Sequence, residues 1–255
     1  QNTTQGGEGK PEVYELDTVT SVLDEVRKPE WAHRLNDFDS IIARRQTAGR
    51  GQYRRSWDSP EGNIFAALRL PMEGPFPGTE AAVALGVLLA CALRAEGFLC
   101  LLKWPNDLVL ADSLGEARKV CGILLEEREN VLVAGIGINV LHAPSDDMLR
   151  PDHALKATSL LANDPQGHVK NIPTAKLWKK LVNHLFSSYS HNYAPYDWHT
   201  PAQEFLLWRN RKVVLADGDE RVEGILRGIG FKGELLLEAQ GRTLALLSGS
   251  IRVAG

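Results

Sequence analysis

Four apolar segments that follow one another closely constrain the fold of this chain most strongly. They are residues 98–103, 108–110, 120–125 and 131–140. Short apolar runs bounded by turn residues are typical of strands that are buried on both faces of a sheet. The turn residues of Asp112–Gly115 indicate that the second and third segments form a hairpin. The sequence therefore predicts a buried central sheet.

Further elements are predicted around this sheet. Strands are expected at 13–16, 40–43 and 62–70, and helices at 79–96, at 174–192 and from a cap at Asp17 or Thr18 to about Arg27. After residue 203, short apolar runs alternate with turn residues, which predicts four or five strands of a small β-barrel. The predicted fold class is α+β, with a mixed sheet flanked by helices and a C-terminal barrel. We expect a flexible tail at 1–12, a main domain at 13–204 and the barrel at 205–255.

Charge, cysteine content and apolar run length exclude several classes of protein. The 255 residues include 29 Lys and Arg against 32 Asp and Glu, a net charge of -3. Without a global positive field, DNA binding is not expected. Three cysteines in apolar surroundings are typical of reduced thiols in a cytoplasmic protein. The longest apolar run, 81–93, is too short to span a bilayer, so no membrane contact is expected.

A basic loop is predicted between the strands at 40–43 and 62–70. Between Asp39 and Asp58 there is no acidic residue, whereas there are five arginines, Arg44, Arg45, Arg50, Arg54 and Arg55. Gly49 and Gly51 let backbone amides approach a ligand, and arginines bind phosphate or carboxylate oxygens. Trp57 adds a flat face for a base. We interpret the loop as part of a pocket for a nucleotide and an anion; the alternative is a solvated basic surface loop.

Polar residues directly follow the predicted strand at 98–103. Lys103 ends that strand, and Pro105 fixes the bend that holds the next two side chains. Asn106 offers a donor and an acceptor to a base or ribose, and Asp107 can bind Mg²⁺ or accept hydrogen bonds. The alternative is a turn with solvated side chains.

Gly122 lies on the next predicted strand, 120–125, and Lys119 directly precedes that strand. Alternation places Lys119 on the face of Cys121, where its ammonium either reaches the sheet edge or is held for an anion. Gly122 is predicted opposite Asp107 across the hairpin, where a glycine leaves room for a ligand. Asn139 ends a glycine-containing strand and is predicted to point at a ligand, since the pattern lacks the third glycine and helix of a dinucleotide fingerprint.

Four motifs together resemble those of biotin protein ligases, in order and at similar spacing. They are QTAGRGQYRRSWDSP at 46–60, KWPND at 103–107, KVCGIL at 119–124 and GIGINV at 135–140. The segment 208–255 is similar to the SH3-like barrel of that family. The resemblance implies a catalytic domain of the class II synthetase and biotin/lipoate ligase type. It favours the short form, since no room for a helix-turn-helix precedes the first motif.

The resemblance implies a two-step reaction. Biotin and Mg-ATP give biotinyl-5′-adenylate and pyrophosphate, and the adenylate then acylates a lysine of a biotin carboxyl carrier domain. ATP, Mg²⁺ and biotin are thus the expected small molecules, the carrier domain is the expected partner, and a homodimer is possible.

The resemblance also implies roles for individual residues. The catalytic residues would be Lys119, Arg50, Arg55 and Asp107, with Asp107 also the candidate Mg²⁺ ligand. The biotin site would contain Thr18, Thr20, Gln46, Gly49, Arg50, Lys119 and Gly122. ATP and the adenylate would contact Arg50, Gln52, Arg55, Trp57, Lys103, Asn106 and Asn139, with Trp57 stacked on the adenine.

Two residues depart from the family pattern. Gln52 stands where the family commonly has the second arginine of Gly-Arg-Gly-Arg, which implies a looser hold on the adenylate unless Arg54 compensates. Thr18-Val19-Thr20 replaces a usual Ser-Thr-Asn, which leaves the acyl substrate open. The alternatives are a ligase-like protein that binds biotin or an acyl-adenylate without efficient transfer, and a lipoate-type acyl ligase.

Overall fold

A seven-stranded mixed sheet forms the centre of the computed structural model, which describes residues 9–52, 55–112, 114–146, 155–190 and 197–254. Its strands are β1 (Val13–Val19), β2 (Ser40–Gln46), β3 (Ile64–Leu70), β4 (Leu101–Lys103), β5 (Asp107–Ala111), β6 (Ala117–Arg128) and β7 (Val131–Ile138). The strand order is β1-β2-β3-β7-β6-β5-β4. Only the β1–β2 pair of this sheet is parallel among the described strands. The four apolar segments of the sequence thus lie side by side in one half of the sheet.

A second, antiparallel sheet of five strands forms the C-terminal part. Its strands are β8 (Lys212–Asp217), β9 (Glu220–Ile229), β10 (Leu235–Ala239), β11 (Arg242–Leu246) and β12 (Ser250–Val253), in the order β11-β10-β9-β8-β12. Tight turns at Gly218 and Gly241, both with positive φ, connect successive strands. The mixed sheet and this small second sheet confirm the predicted fold class.

Helices cover both faces of the central sheet. They are α1 (Val22–Glu25), α2 (Pro29–Ala32), α3 (Ala81–Ala95), α4 (Thr174–Ser190) and α5 (His199–Phe205). Because side chains alternate along a strand, Leu68 of β3 belongs to the core under α3 and α4, whereas its neighbour Ala67 belongs to the core under α1 and α2. No helix among the described residues is long and apolar enough to cross a membrane.

Two predicted boundaries are wrong. The chain does not leave the sheet at Asp17 or Thr18, because β1 continues to Val19 and pairs with β2 as far as Gln46. The helix that follows is a single turn and begins after Ser21. The strand predicted at 98–103 is shorter as well, since only Leu101–Lys103 pair with β5.

The two sheets share one hydrophobic core. Buried residues of the second sheet, such as Leu226, belong to the same cluster as α3 and α4. The indole Nε1 of Trp104 donates a buried hydrogen bond of 2.8 Å to the carbonyl of Gly233. The predicted domain boundary at 204/205 falls at the end of α5, which packs on β9, and it stays a prediction.

The predicted N-terminal tail lies partly outside the described residues, which begin at residue 9. Within the described part, the backbone N–H of Glu12 donates to Asp39 at 2.7 Å. The N–H of Ser40 in turn donates to the carbonyl of Glu12 at 2.9 Å. Residue 12 is therefore anchored to the start of β2.

The Trp104–Gly233 hydrogen bond generates a prediction about stability. Trp104→Phe leaves a buried carbonyl without its donor and creates a small cavity, which we expect to lower the free energy of unfolding by about 1–3 kcal/mol. Urea unfolding followed by far-UV circular dichroism measures the change. The transition should remain single because both sheets share one core; two separate transitions would contradict this.

Candidate active site

A pocket of about 600 Å³ lies on the face of the central sheet that α1 and α2 leave open. Its floor is formed by β5, β6 and β7, and one end by the residues at the start of α1. The described residues of the loop at 46–57, hereafter the basic loop, form a wall. Residues of β8 and β12 in the second sheet complete the rim. Residues of all four sequence motifs thus meet in one place.

Two glycines make the floor flat, and Trp57 covers them. Gly122 of β6 and Gly137 of β7 are paired across the strands. A Cβ atom at Gly137 would lie 2.5 Å from Trp57 Cε2, and one at Gly122 would lie 2.8 Å from Trp57 Cζ3. The indole can lie on the sheet only because both side chains are absent. Gly122 also pairs with Asp107, as the sequence predicted.

Three charged side chains form a cluster, the lysine–aspartate cluster, beside this floor. Asp107 lies between Lys119, whose Nζ is 2.6 Å from Oδ1, and Lys103, whose Nζ is 3.8 Å from Oδ2. Burial lowers the pKa of Lys103; the charge of Lys119 lowers it further, whereas Asp107 raises it. Two cations against one carboxylate leave a positive charge for an anionic ligand.

The predicted face of Lys119 is wrong. Leu108 pairs with Cys121 but Val109 pairs with Lys119, so Val120 is an extra residue in β6. This β-bulge breaks the alternation. Cys121 therefore faces the core under α3, whereas Lys119 lies over the Trp57 ring, with Nζ 5.3 Å from its centroid.

The described arginines at 44–55 lie partly in the pocket lining and partly at the surface. Arg50 and Arg55 line the pocket. Arg50 Nη2 is 2.8 Å from Asp24 Oδ1 and 3.4 Å from Glu126 Oε1. Arg44, which the sequence assigned to this loop, lies on β2 and pairs with exposed acids outside the lining. The solvated alternative thus holds for part of the loop only.

The loop is closed by its own backbone. The N–H of Gly51 donates to the carbonyl of Arg55 at 2.7 Å, and the N–H of Arg55 donates to the backbone carbonyl of Gln52 at 3.2 Å. Gln52 lines the pocket. Residue Arg54, the candidate to compensate for Gln52, lies outside the described residues.

Asn106 and Asn139 are buried and line the pocket, and each is held by a hydrogen bond to the backbone. Asn106 Nδ2 donates to the carbonyl of Ile123 at 2.6 Å, and Asn139 Nδ2 donates to that of Thr158 at 3.1 Å. These bonds fix the amides and leave their carbonyl oxygens to accept from a ligand.

The predicted biotin residues are distributed differently. Gln46 lines the pocket, whereas Thr18 and Thr20 are exposed and lie outside the lining. Gly49 also lies outside the pocket lining. A Cβ atom at this residue would lie 2.7 Å from the carbonyl oxygen of Trp57. The close approach at Gly49 is thus within the protein, and the placement of the two threonines does not fit a contact with biotin.

The sequence analysis missed two groups of lining residues. Ser21 is buried at the start of α1 and lines the pocket. Asp217 and Arg221 reach it from the turn between β8 and β9. A serine just before Val22 is a recognisable helix-start signal, whereas nothing local to a Gly-containing hairpin indicates that it meets a distant loop.

The geometry does not favour Asp107 as a Mg²⁺ ligand. Both of its carboxylate oxygens face lysine ammonium groups, and a second cation there would be repelled. No group of three or more His, Cys, Asp or Glu side chains among the described residues could hold a metal ion. We therefore assign no metal to the side chains of this site.

Comparisons with known proteins agree with this geometry. Residues 17–142 match the model of the biotin/lipoate A/B protein ligase family. The bifunctional ligase/repressor BirA of Escherichia coli is 32% identical over 85% of this chain and 67% of its own length. The biotin–[acetyl-CoA-carboxylase] ligase of Paracoccus denitrificans is 30% identical over 77% of this chain and 82% of its own.

Solved structures show the same fold. Biotin protein ligase from Aquifex aeolicus in complex with biotin and ATP has a TM-score of 0.77 at 23% identity, covering 95% of this chain and 99% of that one. Biotin protein ligase from Leishmania major in complex with biotinyl-5-AMP has a TM-score of 0.57 at 25% identity, covering 92% and 98%.

The lowered pKa of Lys103 generates a prediction about pH. Because burial lowers the pKa of Lys103 and folding therefore disfavours its charged form, Lys103→Met should raise the free energy of unfolding at pH 7. The unfolded chain binds this proton more tightly, so the unsubstituted protein gains stability as pH rises toward the usual pKa of 10.5. The advantage of the variant should therefore shrink as the pH rises toward 10.5.

Urea denaturation at several pH values measures this difference. Lys180→Met is the control, because Lys180 is an exposed residue paired with Glu96. An advantage of Lys103→Met that grew with pH would contradict the assigned sign.

Proposed function

The chain belongs to the biotin protein ligases of the biotin/lipoate A/B protein ligase family, and we propose that it joins biotin to AMP from ATP and transfers biotin to a carrier-protein lysine. The observation that carries this proposal is the convergence of three features in one pocket. A glycine floor, the lysine–aspartate cluster and the basic loop provide an apolar surface next to cations. The apolar part of an acid such as biotin fits the apolar surface, and its carboxylate and the phosphates of a nucleoside triphosphate require the neighbouring cations.

In the first step, a carboxylate oxygen of biotin attacks the α-phosphorus of ATP. The new O–P bond gives the mixed anhydride, and the bond to the β-phosphate breaks to release pyrophosphate. Two anions must approach each other, so the site has to neutralise them. Lys119 and Arg50 are the residues we assign to this task, and Arg55 lies beside them in the lining.

Arg50 has to exchange partners during this step. It pairs with Asp24 and Glu126, each of which is partly exposed. Partly exposed ion pairs contribute little to stability. Replacing these acids by a ligand carboxylate or phosphate therefore costs little free energy. The guanidinium group can bind either ligand group through two hydrogen bonds.

In the second step, the ε-amine of the acceptor lysine attacks the carbonyl carbon of the adenylate. The C–N bond forms, the C–O bond to AMP breaks, and the amine loses a proton. Asp107 is the carboxylate of the lysine–aspartate cluster, and we assign it to accept that proton or to orient the amine. No protein nucleophile is needed for either step.

The nucleotide side of the pocket is assigned to the remaining polar residues. Trp57 would stack on the adenine, and the carbonyl oxygens of Asn106 and Asn139 are available to the base or ribose. Because the indole lies on the glycine floor, a ligand chain can occupy that floor only after the indole moves. Mg²⁺ would arrive with the phosphates of ATP, which with water can supply its ligands.

The acceptor is proposed to be a biotin carboxyl carrier domain. Its lysine has to enter past the rim that the second sheet contributes. Asp217 and Arg221 lie on that rim and carry opposite charges. We assign to this rim the role of guiding the acceptor domain. We also propose that the protein acts in the cytoplasm.

Lys119→Gln tests the assignment of the first step. Removal of the cation over the floor should lower the rate of biotin-dependent pyrophosphate release by about 100-fold or more, as for the loss of a group that stabilises transition-state charge. Lys180→Gln, on the opposite face of the sheet, is the matched control and should keep the full rate. An unchanged rate in Lys119→Gln would remove that residue from the mechanism.

Gln52→Arg tests how tightly the adenylate is held. A charge-assisted hydrogen bond contributes roughly 1.5–3 kcal/mol, so the variant should release biotinyl-5′-adenylate about ten- to a hundredfold more slowly. The measurement is the ratio of pyrophosphate released to acceptor lysine labelled, which should fall toward one. Gln166→Arg makes the same change at an exposed site outside the lining and should leave the ratio unchanged. A ratio of one in the unsubstituted protein would show that Gln52 causes no leak.

A further inference from the structure

A buried amide outside the pocket holds the chain where it leaves β7. Asn63 is 2% exposed and lies outside the pocket lining. Its Oδ1 accepts hydrogen bonds from the backbone N–H groups of Val140, Leu141 and His142 at 2.9, 3.0 and 3.1 Å. Its Nδ2 donates to the carbonyl of His142 at 3.0 Å. One side chain thus fixes three consecutive residues, and we call these contacts the Asn63 clamp.

The Asn63 clamp begins where the sheet ends. The last backbone pair between β3 and β7 is Ile64 with Ile138, and Asn63 directly precedes that pair. Buried N–H groups that leave a sheet need another acceptor, and Val140 is fully buried. Asn63 supplies the acceptor, so a side chain continues the contact between the two segments beyond the last pair of the sheet.

Asn139, which lines the pocket, lies between the sheet and the clamp. Its N–H donates to the carbonyl of Val120 at 2.9 Å, and its own carbonyl accepts from the N–H of Leu160 at 2.8 Å. The Asn139 carbonyl and the Val140 N–H belong to one planar peptide group. The bond from Val140 to Asn63 therefore fixes the plane on which the backbone position of Asn139 depends.

The clamp also anchors the segment that follows Trp57. The indole of Trp57 lies against Gly137, two residues before Asn139. Gly62 directly precedes Asn63 and has a φ of +96°, and a Cβ atom there would lie 2.9 Å from Leu141 Cδ1. The chain after the basic loop thus returns to the end of β7 in close contact, and the clamp fixes the place where it does so.

The cation beside the glycine floor is held by other contacts. Lys119 Nζ lies 2.6 Å from Asp107 Oδ1. The backbone N–H of Lys119 donates to the carbonyl of Lys156, and its carbonyl accepts from the N–H of Thr158, both at 2.8 Å. None of these bonds involves Asn63 or residues 140–142. Loss of the clamp should therefore affect the two ends of the pocket unequally.

We propose that Asn63 is a positioning residue for the nucleotide and that it acts through Asn139. This inference rests on the proposed function, in which the Asn139 amide and the Trp57 ring bind the base or ribose of ATP. The clamp keeps Asn139 Oδ1 at a fixed place relative to the indole. Without the clamp, residues 139–142 can shift, and the nucleotide loses a hydrogen bond while the contacts of Lys119 remain.

Asn63→Ala removes the clamp. It should raise the KM for ATP about tenfold, which corresponds to the loss of one hydrogen bond to the ligand. The KM for biotin and the kcat of pyrophosphate release should each change by less than about twofold, because binding of the nucleotide is weakened equally in the ground state and the transition state. Initial rates of pyrophosphate release at varied ATP and varied biotin measure all three values.

Asp39→Ala is the matched control. Asp39 is also buried and outside the lining, and its two carboxylate oxygens accept from the backbone N–H groups of Glu12 and Asn36, each at 2.7 Å. Both substitutions remove a buried acceptor of backbone N–H groups and should lower the melting temperature. Only Asn63→Ala should change the KM for ATP, so the pair separates positioning from stability.

Two further variants test the route of the effect. In Asn63→Asp a carboxylate oxygen can still accept the three N–H bonds, so the KM for ATP should stay within about threefold of its original value. In an Asn139→Ala background, Asn63→Ala should cause no additional rise, because the residue through which it acts is already absent.

Four results would overturn the inference. They are an equal rise of both KM values in Asn63→Ala, the same rise of the KM for ATP in Asp39→Ala, a tenfold rise in Asn63→Asp, and an additional rise in the Asn139→Ala background. The aspartate variant keeps the inference testable if the alanine variant does not fold. If the unsubstituted protein released no pyrophosphate with biotin and ATP, the proposed function itself would fail, and this outcome precedes any substitution.

Discussion

The carboxylate of Asp107 lies between two lysine ammonium groups, and the rest of the site depends on this contact. Buried charges are costly unless they are paired. Lys103 has little access to water, which lowers its pKa, and the negative charge of Asp107 opposes that change at the end of β4. The same carboxylate holds Lys119 of β6 at 2.6 Å. The register of β5 against β4 and β6 thus fixes both cations beside the floor, ready for an anion.

The floor and the wall of the pocket differ in how firmly they are held. Gly122 and Gly137 belong to the middle of a buried sheet, and Asn106 and Asn139 are tied to neighbouring backbone. The basic loop is held by partly exposed ion pairs and by a few bonds of its own backbone. A rigid floor with a loosely held wall allows a ligand to enter without disturbing the geometry of the lysine–aspartate cluster.

Much of the fold follows from the sequence, because apolar runs and turn residues are local signals. The pairing of Gly122 with Asp107 was predicted from the hairpin alone. The face predicted for Lys119 is wrong, because the extra residue Val120 reverses the alternation and nothing in the sequence around it marks a bulge. The placement of Ser21 and of Arg221 in the pocket lining depends on contacts between segments far apart in the chain, which periodicity cannot indicate.

Residues near the C-terminal end of the described chain complete the lining of the pocket. Gly249 and Ser250 line it, and Ser250 pairs β12 with β8, whose Asp217 lies on the rim. During synthesis, a nascent chain could form the central sheet with its cations while the rim was still inside the ribosome. Complete binding of substrate would then begin only after residues 249 and 250 had emerged, so the floor of the pocket would form before its rim.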